Sequence, residues 1–117
     1  MSQALSVKRT RAFKHQNGKC YYCQISMWLP KVTDHLVRSE ISTKAMSRIR
    51  CTVEHLQARS DGGTDANENL VAACHFCNQT RHRRLQPLSS SEFRRYVRSR
   101  VGKGRWHPTY FHRLYRN

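Results

Sequence analysis

The clearest alternation of hydrophobic and polar positions lies just past the middle of the chain. Residues 51–56 (CTVEHL) alternate β-branched or apolar side chains with polar ones, which predicts a strand. Residues 69–73 (NLVAA) predict a returning strand, and residues 60–65 (SDGGTD) form a turn-forming cluster between the two. Residues 76–85 predict a helix. The pattern therefore predicts a ββα unit over about residues 50–85.

Weaker patterns predict helices on both sides of this unit. Residues 5–16 form a basic segment that an Asn-Gly turn ends, and residues 39–49 form a basic amphipathic segment. An SSSE motif offers an N-cap for a further basic helix over residues 93–100. We predict an α+β fold in which residues 1–117 form a single small domain with flanking helices.

The charge of the chain points to its partners. The 117 residues contain 22 Lys and Arg against 7 Asp and Glu, a formal net charge of +15. This imbalance favours a nucleic-acid partner, although a solvated basic surface, a ribosome-like protein or a membrane-surface protein has the same composition. No apolar run reaches the ~18 residues of a membrane span, and the first residues lack the apolar stretch of a signal peptide. We expect a soluble, cytoplasmic protein of a bacterium or phage, without a membrane partner.

Four of the five cysteines form two C-x-x-C pairs, Cys20 with Cys23 and Cys74 with Cys77. In a reducing compartment such pairs indicate a metal site before they indicate disulfides. Four thiolates suit a tetrahedral structural zinc with no open position for substrate, although buried thiols or a redox pair give the same spacing. The remaining cysteine, Cys51, lies on a predicted strand and is expected in the core.

A second group of polar residues consists of Glu54, His55, Asn69 and Asn78. A ββα hairpin brings the end of its first strand, the start of its second strand and the start of its helix to one cleft. Each residue also has an ordinary structural explanation. His55 can make a strand contact, Glu54 can pair with an arginine, Asn69 can end a turn and Asn78 can cap a helix.

Residues 53–81, from Val53 before the Glu-His pair to Arg81, resemble the zinc-stapled form of the HNH endonuclease family. This segment contains an acid-His pair, a Gly-Gly turn, Asn-Leu, and C-x-x-C followed by Asn, in that order. The resemblance implies a ββα-metal (His-Me finger) fold. The other acid-His pair, Asp34-His35, lacks the Gly-Gly turn and the Asn-Leu, and we reject it as the site.

The resemblance also implies the roles of the second group. His55 is the expected general base, and Glu54 and Asn78 are the expected ligands of a catalytic divalent cation, Mg²⁺, Mn²⁺ or Ni²⁺. Asn69 is the expected catalytic asparagine that holds the loop and orients the base. Glu54 stands where Asp is also common in the family, and Asn78 stands where His is common. The implied reaction is phosphodiester hydrolysis that leaves 5′-phosphate and 3′-hydroxyl ends.

Basic residues near this site are candidates for contacts with DNA. The candidates lie on the predicted helix and in a basic C-terminal extension, residues 88–117: Arg81, Arg83, Arg84, Lys103 and Arg105. Aromatic residues of the extension suit either stacking on an unpaired base or packing in the core.

The leading hypothesis is a metal-dependent DNA endonuclease that nicks or cuts double-stranded DNA as a monomer or weak dimer. One alternative is a non-catalytic zinc-stapled nucleic-acid-binding module, which requires the four cysteines and the charge but not Glu54, His55 and Asn78 together. Another is a nuclease subunit of a larger phage or restriction complex.

Overall fold

Helices surround a two-stranded antiparallel sheet in the computed structural model, which describes residues 2–32 and 41–115. This arrangement confirms the predicted α+β class and its small ββα core. The helices and strands are α1 (Gln3–His15), α2 (Thr43–Met46), β1 (Cys51–His55), β2 (Leu70–Cys74), α3 (His75–Arg83) and α4 (Ser90–Gly102).

The ββα unit follows the predicted order closely. The strands pair from Cys51 opposite Cys74 to His55 opposite Leu70, and β2 continues directly into α3. The helix ends two residues before its predicted end, because Arg84 adopts an extended backbone conformation with ψ of 145°. Glu54 and His55 consequently occupy the last two positions of β1, beside the helix that follows β2.

The flanking elements agree with the prediction in part. Ser89 forms the predicted cap of α4, in which its hydroxyl oxygen accepts from the Glu92 amide while the Glu92 carboxylate accepts from the Ser89 amide. The predicted helix over residues 39–49 begins only at Thr43 and tightens into a 3-10 turn at Ser47–Ile49. Residues 33–40 lie outside the described residues, and with them the start of this predicted helix and the rejected Asp34-His35 pair.

The hydrophobic core lies between the sheet, the first cysteine pair and the C-terminal segment. Its largest fully buried side chains include Tyr22, Phe93 and Phe111. Cys51 is 0% exposed in this core, as predicted, and burial raises the pKa of its thiol to about 12. None of the described helices is long and apolar enough to cross a bilayer.

The residue that caps the C-terminal end of α1, Gln16, bonds to the free edge of β2. The Gln16 side-chain amide donates to the Ala72 carbonyl, and its oxygen accepts from the Ala72 amide, both at 2.8 Å. The Tyr21 amide donates to the same carbonyl at 3.0 Å. A single side chain therefore replaces part of a neighbouring strand and ties α1 to the sheet.

Replacing Gln16 by alanine is expected to reduce the free energy of unfolding by about 1–3 kcal/mol, because the amide of Ala72, a residue that is 0% exposed, loses its partner. Urea denaturation measures the change. Gln3→Ala is the matched control, since Gln3 is exposed at the other end of α1. Equal losses in the two variants would contradict the assigned role of Gln16.

Candidate active site and metal centre

The four paired cysteines converge on one buried cluster. The sulfurs of Cys20, Cys23, Cys74 and Cys77 all lie within 4.8 Å of one another, and none of these residues is in a disulfide. Sulfurs held about 2.3 Å from a tetrahedral zinc stand about 3.8 Å apart, and the Cys23 and Cys74 sulfurs are 3.9 Å apart. The soft donor set and its spacing fit zinc, so this cluster can bind a structural zinc ion.

The fold brings these cysteines together from two distant segments. The first pair lies in a tight turn in which the Cys20 amide donates to the Ile25 carbonyl. The second pair spans the junction of β2 and α3, where Cys74 caps the helix by accepting from the Cys77 amide. Because all four ligand positions come from protein, a metal here has no site for substrate.

Glu54 is the only buried acid among the described residues. It is 2% exposed, although it lies on a strand next to the exposed end of the hairpin. Its Oε2 accepts from the Tyr22 hydroxyl at 2.8 Å and from the Arg81 guanidinium at 3.0 Å. Burial raises the pKa of Tyr22, and the Glu54 charge adds to the effect, so the phenol keeps its proton and remains a donor. The carboxylate is thereby fixed with its other oxygen, Oε1, on the opposite side.

His82 faces that second oxygen. Its Nε2 is 2.9 Å from Glu54 Oε1, and the His82 side chain is 32% exposed against 2% for Glu54. Neighbouring ligands of an octahedral cation at about 2.1 Å stand about 3 Å apart. A carboxylate oxygen and an imidazole nitrogen at this separation therefore fit two adjacent ligand positions of a divalent cation.

His55 is held by a carboxylate. Its Nε2 is 2.8 Å from Asp65 Oδ1, and the Arg59 guanidinium donates to both oxygens of Asp65. The hydrogen bond with His55 and the Arg59 partner lower the pKa of Asp65, which is therefore an ionised acceptor. His55 Nε2 must then carry the proton, and its Nδ1 is left as the acceptor in the neutral ring.

Asn69 holds the loop that carries these groups. Its side-chain oxygen accepts from the Gln57 amide at 2.9 Å, and its nitrogen donates to the Gln57 and Thr64 carbonyls at 3.0 and 2.8 Å. The side chain thus fastens both ends of the loop between the two strands. These contacts of Asn69 are with loop backbone rather than with His55, so the residue fixes the position of the loop.

The two glycines of that loop have different functions. Gly62 has a φ of 89°, the left-handed conformation expected of a turn glycine. Gly63 is required by close approach instead, because a Cβ there would lie 1.7 Å from the Gln57 carbonyl oxygen. That same carbonyl accepts from Asn69. The Gly-Gly pair therefore closes the loop onto the asparagine.

Asn78 lies on α3 and bonds to β1. Its Nδ2 donates to the Thr52 hydroxyl and the Val53 carbonyl, both at 3.0 Å. These two hydrogen bonds tie α3 to β1, which is a structural role for Asn78. They engage only the amide nitrogen, which leaves Oδ1 as the atom suited to a cation.

The basic residues expected to contact DNA separate into two groups. Arg81 is 5% exposed, and besides Glu54 its guanidinium donates to three backbone carbonyls, so it has no free donor face for a phosphate. The remaining candidates are exposed: Arg83, Arg84, Lys103 and Arg105. Among the tail aromatics, Phe111 is buried and Tyr110 is 54% exposed.

Asp65 and His82 also lie at the candidate site, although the motif alone did not assign them a role. Asp65 lies in the turn cluster, where an acid is expected for turn formation, and only the closed loop brings it to His55. His82 had a usable signal, because it lies four residues after Asn78 and therefore on the same helical face.

The sheet, its following helix and the four-cysteine cluster together define a ββα fold of the zinc-stapled class. The sequence model of the HNH endonuclease family matches residues 43–84, which contain the whole ββα unit. The resemblance inferred from residues 53–81 is confirmed by this match, which indicates a nuclease that acts on nucleic acid. No curated protein and no solved structure matches the chain.

Replacing Arg81 by methionine is expected to lower the free energy of unfolding by about 3–5 kcal/mol, because the buried Glu54 carboxylate loses its ion pair with the guanidinium. Chemical denaturation measures the loss. Arg83→Met, an exposed change on the same helix, is the matched control and should stay within about 0.5 kcal/mol of wild type. Adding Glu54→Gln to Arg81→Met should recover part of the loss. A double variant no more stable than Arg81→Met would show that an unpaired charge is not the cause.

Gly63→Ala is expected to open the loop, because the new methyl group meets the Gln57 carbonyl. We expect a loss of roughly 3 kcal/mol, as for other overpacked sites. Gly62→Ala changes only the backbone preference and should cost about 1–2 kcal/mol. Thermal unfolding of the two variants compares them, and a larger effect at Gly62 would refute the close-approach explanation.

Proposed function

We propose that the protein is a metal-dependent DNA endonuclease that hydrolyses phosphodiester bonds in double-stranded DNA and leaves 5′-phosphate and 3′-hydroxyl ends. The observation that carries the proposal is the hydrogen bond between His55 Nε2 and Asp65. A histidine held in this way can act as a general base in hydrolysis. Glu54 and His82, whose separation fits a divalent cation, would supply the metal that the reaction requires.

His55 acts as the general base in this proposal. With its Nε2 proton directed at Asp65, Nδ1 accepts a proton from a water molecule as the water oxygen attacks phosphorus. The bond from phosphorus to the 3′ oxygen breaks, and that oxygen leaves as a hydroxyl after it is protonated by solvent. Asp65 is a positioning residue, because it fixes the ring and stabilises the imidazolium formed in the step.

Glu54 and His82 are the residues that would hold the catalytic cation, with Asn78 Oδ1 as a third candidate ligand. Bound there, a divalent cation supplies charge stabilisation for the scissile phosphate and for the leaving oxygen. Arg81 and Tyr22 fix the orientation of the Glu54 carboxylate by binding its other oxygen. Cys20, Cys23, Cys74 and Cys77 would hold a separate structural zinc.

DNA is the proposed partner because the formal net charge is +15 and exposed cations adjoin the site. Arg83 and Arg84 follow His82 directly on the chain and are exposed. Contacts from these two side chains to phosphates would set the backbone against the cleft. Lys103 and Arg105, which are exposed beyond α4, extend the proposed basic surface. Such contacts bind any sequence, so we expect little sequence preference from them.

The alternative function is a non-catalytic module that binds nucleic acid. It is favoured by one observation, the engagement of Glu54 by Tyr22 and Arg81, which also suits a purely structural acid. Such a module would bind DNA without cutting it, and the experiment below separates the two functions.

The test uses supercoiled plasmid with Mg²⁺, Mn²⁺ or Ni²⁺ and compares wild type with His55→Ala. Wild type should produce nicked or linear DNA, and His55→Ala should cut about 10²–10⁴-fold more slowly, the usual contribution of a general base. His15→Ala is the matched control, since His15 is exposed at the end of α1 and outside the site. EDTA should stop cleavage, and an excess of the cation should restore it.

Asp65→Ala tests the positioning residue in the same assay. We expect kcat to fall while KM changes little, because the chemistry and not the binding of DNA depends on the ring. Wild type that shifts the plasmid on a gel but leaves it intact with every cation would favour the non-catalytic module. Equal cleavage by His55→Ala and wild type would refute the base.

A further inference from the structure

The C-terminal segment reaches the cysteine cluster, although that segment lies outside the residues that match the family. Trp106 Nε1 donates to the Cys77 sulfur at 3.3 Å, and His107 Nε2 lies 3.4 Å from the Cys23 sulfur. His107 is 3% exposed and Trp106 is half-buried. Two side chains consecutive in sequence thus point N–H groups at two different ligands of one site.

The other two sulfurs receive backbone hydrogen bonds. The Cys74 amide donates to the Cys20 sulfur at 3.3 Å, and the Cys77 amide donates to the Cys74 sulfur at 3.5 Å. Within the described part of the chain, each sulfur therefore has an N–H partner within 3.5 Å, and His107 Nε2 also lies 3.9 Å from the Cys74 sulfur. The tail side chains serve the two sulfurs, on Cys23 and Cys77, that have no such backbone partner.

Arg48 determines which nitrogen of His107 carries the proton. Its Nε donates to His107 Nδ1 at 2.9 Å, and a guanidinium can only donate. Nδ1 is therefore an acceptor, and the proton of the neutral ring is on Nε2, toward the Cys23 sulfur. Arg48 is fixed in turn, because it also donates to the Trp106 carbonyl at 3.0 Å and lies 3.5 Å above the Phe76 ring.

These donors matter for electrostatic reasons. Four thiolates around one Zn²⁺ carry a net charge of −2 in a buried cluster, where charge is costly unless hydrogen bonds compensate it. We propose that Trp106 and His107 retain the zinc by donating N–H···S hydrogen bonds to the Cys77 and Cys23 thiolates, with Arg48 setting the direction of the His107 donor. The inference rests on the zinc proposed above. It makes the C-terminal segment part of the metal site, so that metal retention and docking of this segment are coupled.

The first experiment removes the Trp106 donor and keeps an aromatic ring. Trp106→Phe should release zinc about 10-fold faster than wild type when a chelator is added with a thiol-blocking reagent, as expected for loss of an outer hydrogen bond at a metal site. Trp28→Phe is the matched control, since the Trp28 ring N–H donates to the Met46 carbonyl and not to sulfur. It should release zinc at the wild-type rate.

The second experiment concerns His107. His107→Leu should release zinc faster by a similar factor, whereas His107→Gln, which keeps an N–H group, should be closer to wild type. Nitrogen-15 NMR of the zinc-loaded wild type observes the ring directly and needs no variant. It should show the proton on Nε2.

The outcomes distinguish this inference from the zinc site itself. Metal analysis is done first, and a chain without bound zinc overturns both. One zinc per chain, with Trp106→Phe and His107→Leu releasing it at the wild-type rate, overturns this inference alone. A proton on Nδ1 of His107 also overturns it, because the ring nitrogen would then face the thiolate as an acceptor.

Discussion

The hydrogen bonds of the Arg81 guanidinium hold together the elements that surround the candidate site. The guanidinium joins Glu54 of β1, the Tyr22 hydroxyl of the first cysteine turn, and the Leu88 carbonyl before α4. It also donates to the His55 carbonyl at the end of β1. A buried charge pair is seldom the most stable filling of a core, but removing one partner is very unfavourable. The pair therefore acts chiefly by fixing one arrangement of strand, helix and cysteine turn. That arrangement leaves one oxygen of Glu54 directed at His82.

The fold core was predictable because its signals are local. Alternation at residues 51–56, the Gly-Gly turn and the two C-x-x-C pairs each constrain a short stretch of chain, and all of them agree with a ββα unit. The convergence of the four cysteines could be predicted from coordination number, because a tetrahedral zinc needs the ligands of both pairs. The resemblance to HNH endonucleases then ordered the polar residues. Their individual roles remain predictions.

The remaining features depend on contacts that no local pattern encodes. Asp65 becomes a partner of His55 only after Asn69 closes the intervening loop. A run of arginines reads as a surface for phosphates, yet the fold buries Arg81 and leaves Arg83 exposed, because helical geometry turns only one of them toward Glu54. Likewise the tail residues Trp106 and His107 belong to no recognisable motif. They follow the turn after α4, where Gly104 has a φ of 69°. Such long-range placements require the folded coordinates.

The contact between Gln16 and Ala72 has a consequence for how molecules of this protein meet one another. A sheet of two strands has two outer edges, and an open edge is a template for strands from other molecules. On one side, the Gln16 amide and the Tyr21 amide occupy the groups of Ala72. On the other side, donors from α3 occupy alternate carbonyls of β1, Asn78 at Val53 and Arg81 at His55. Groups on both borders of the hairpin are thus already occupied, which leaves fewer of them open to strands from other molecules.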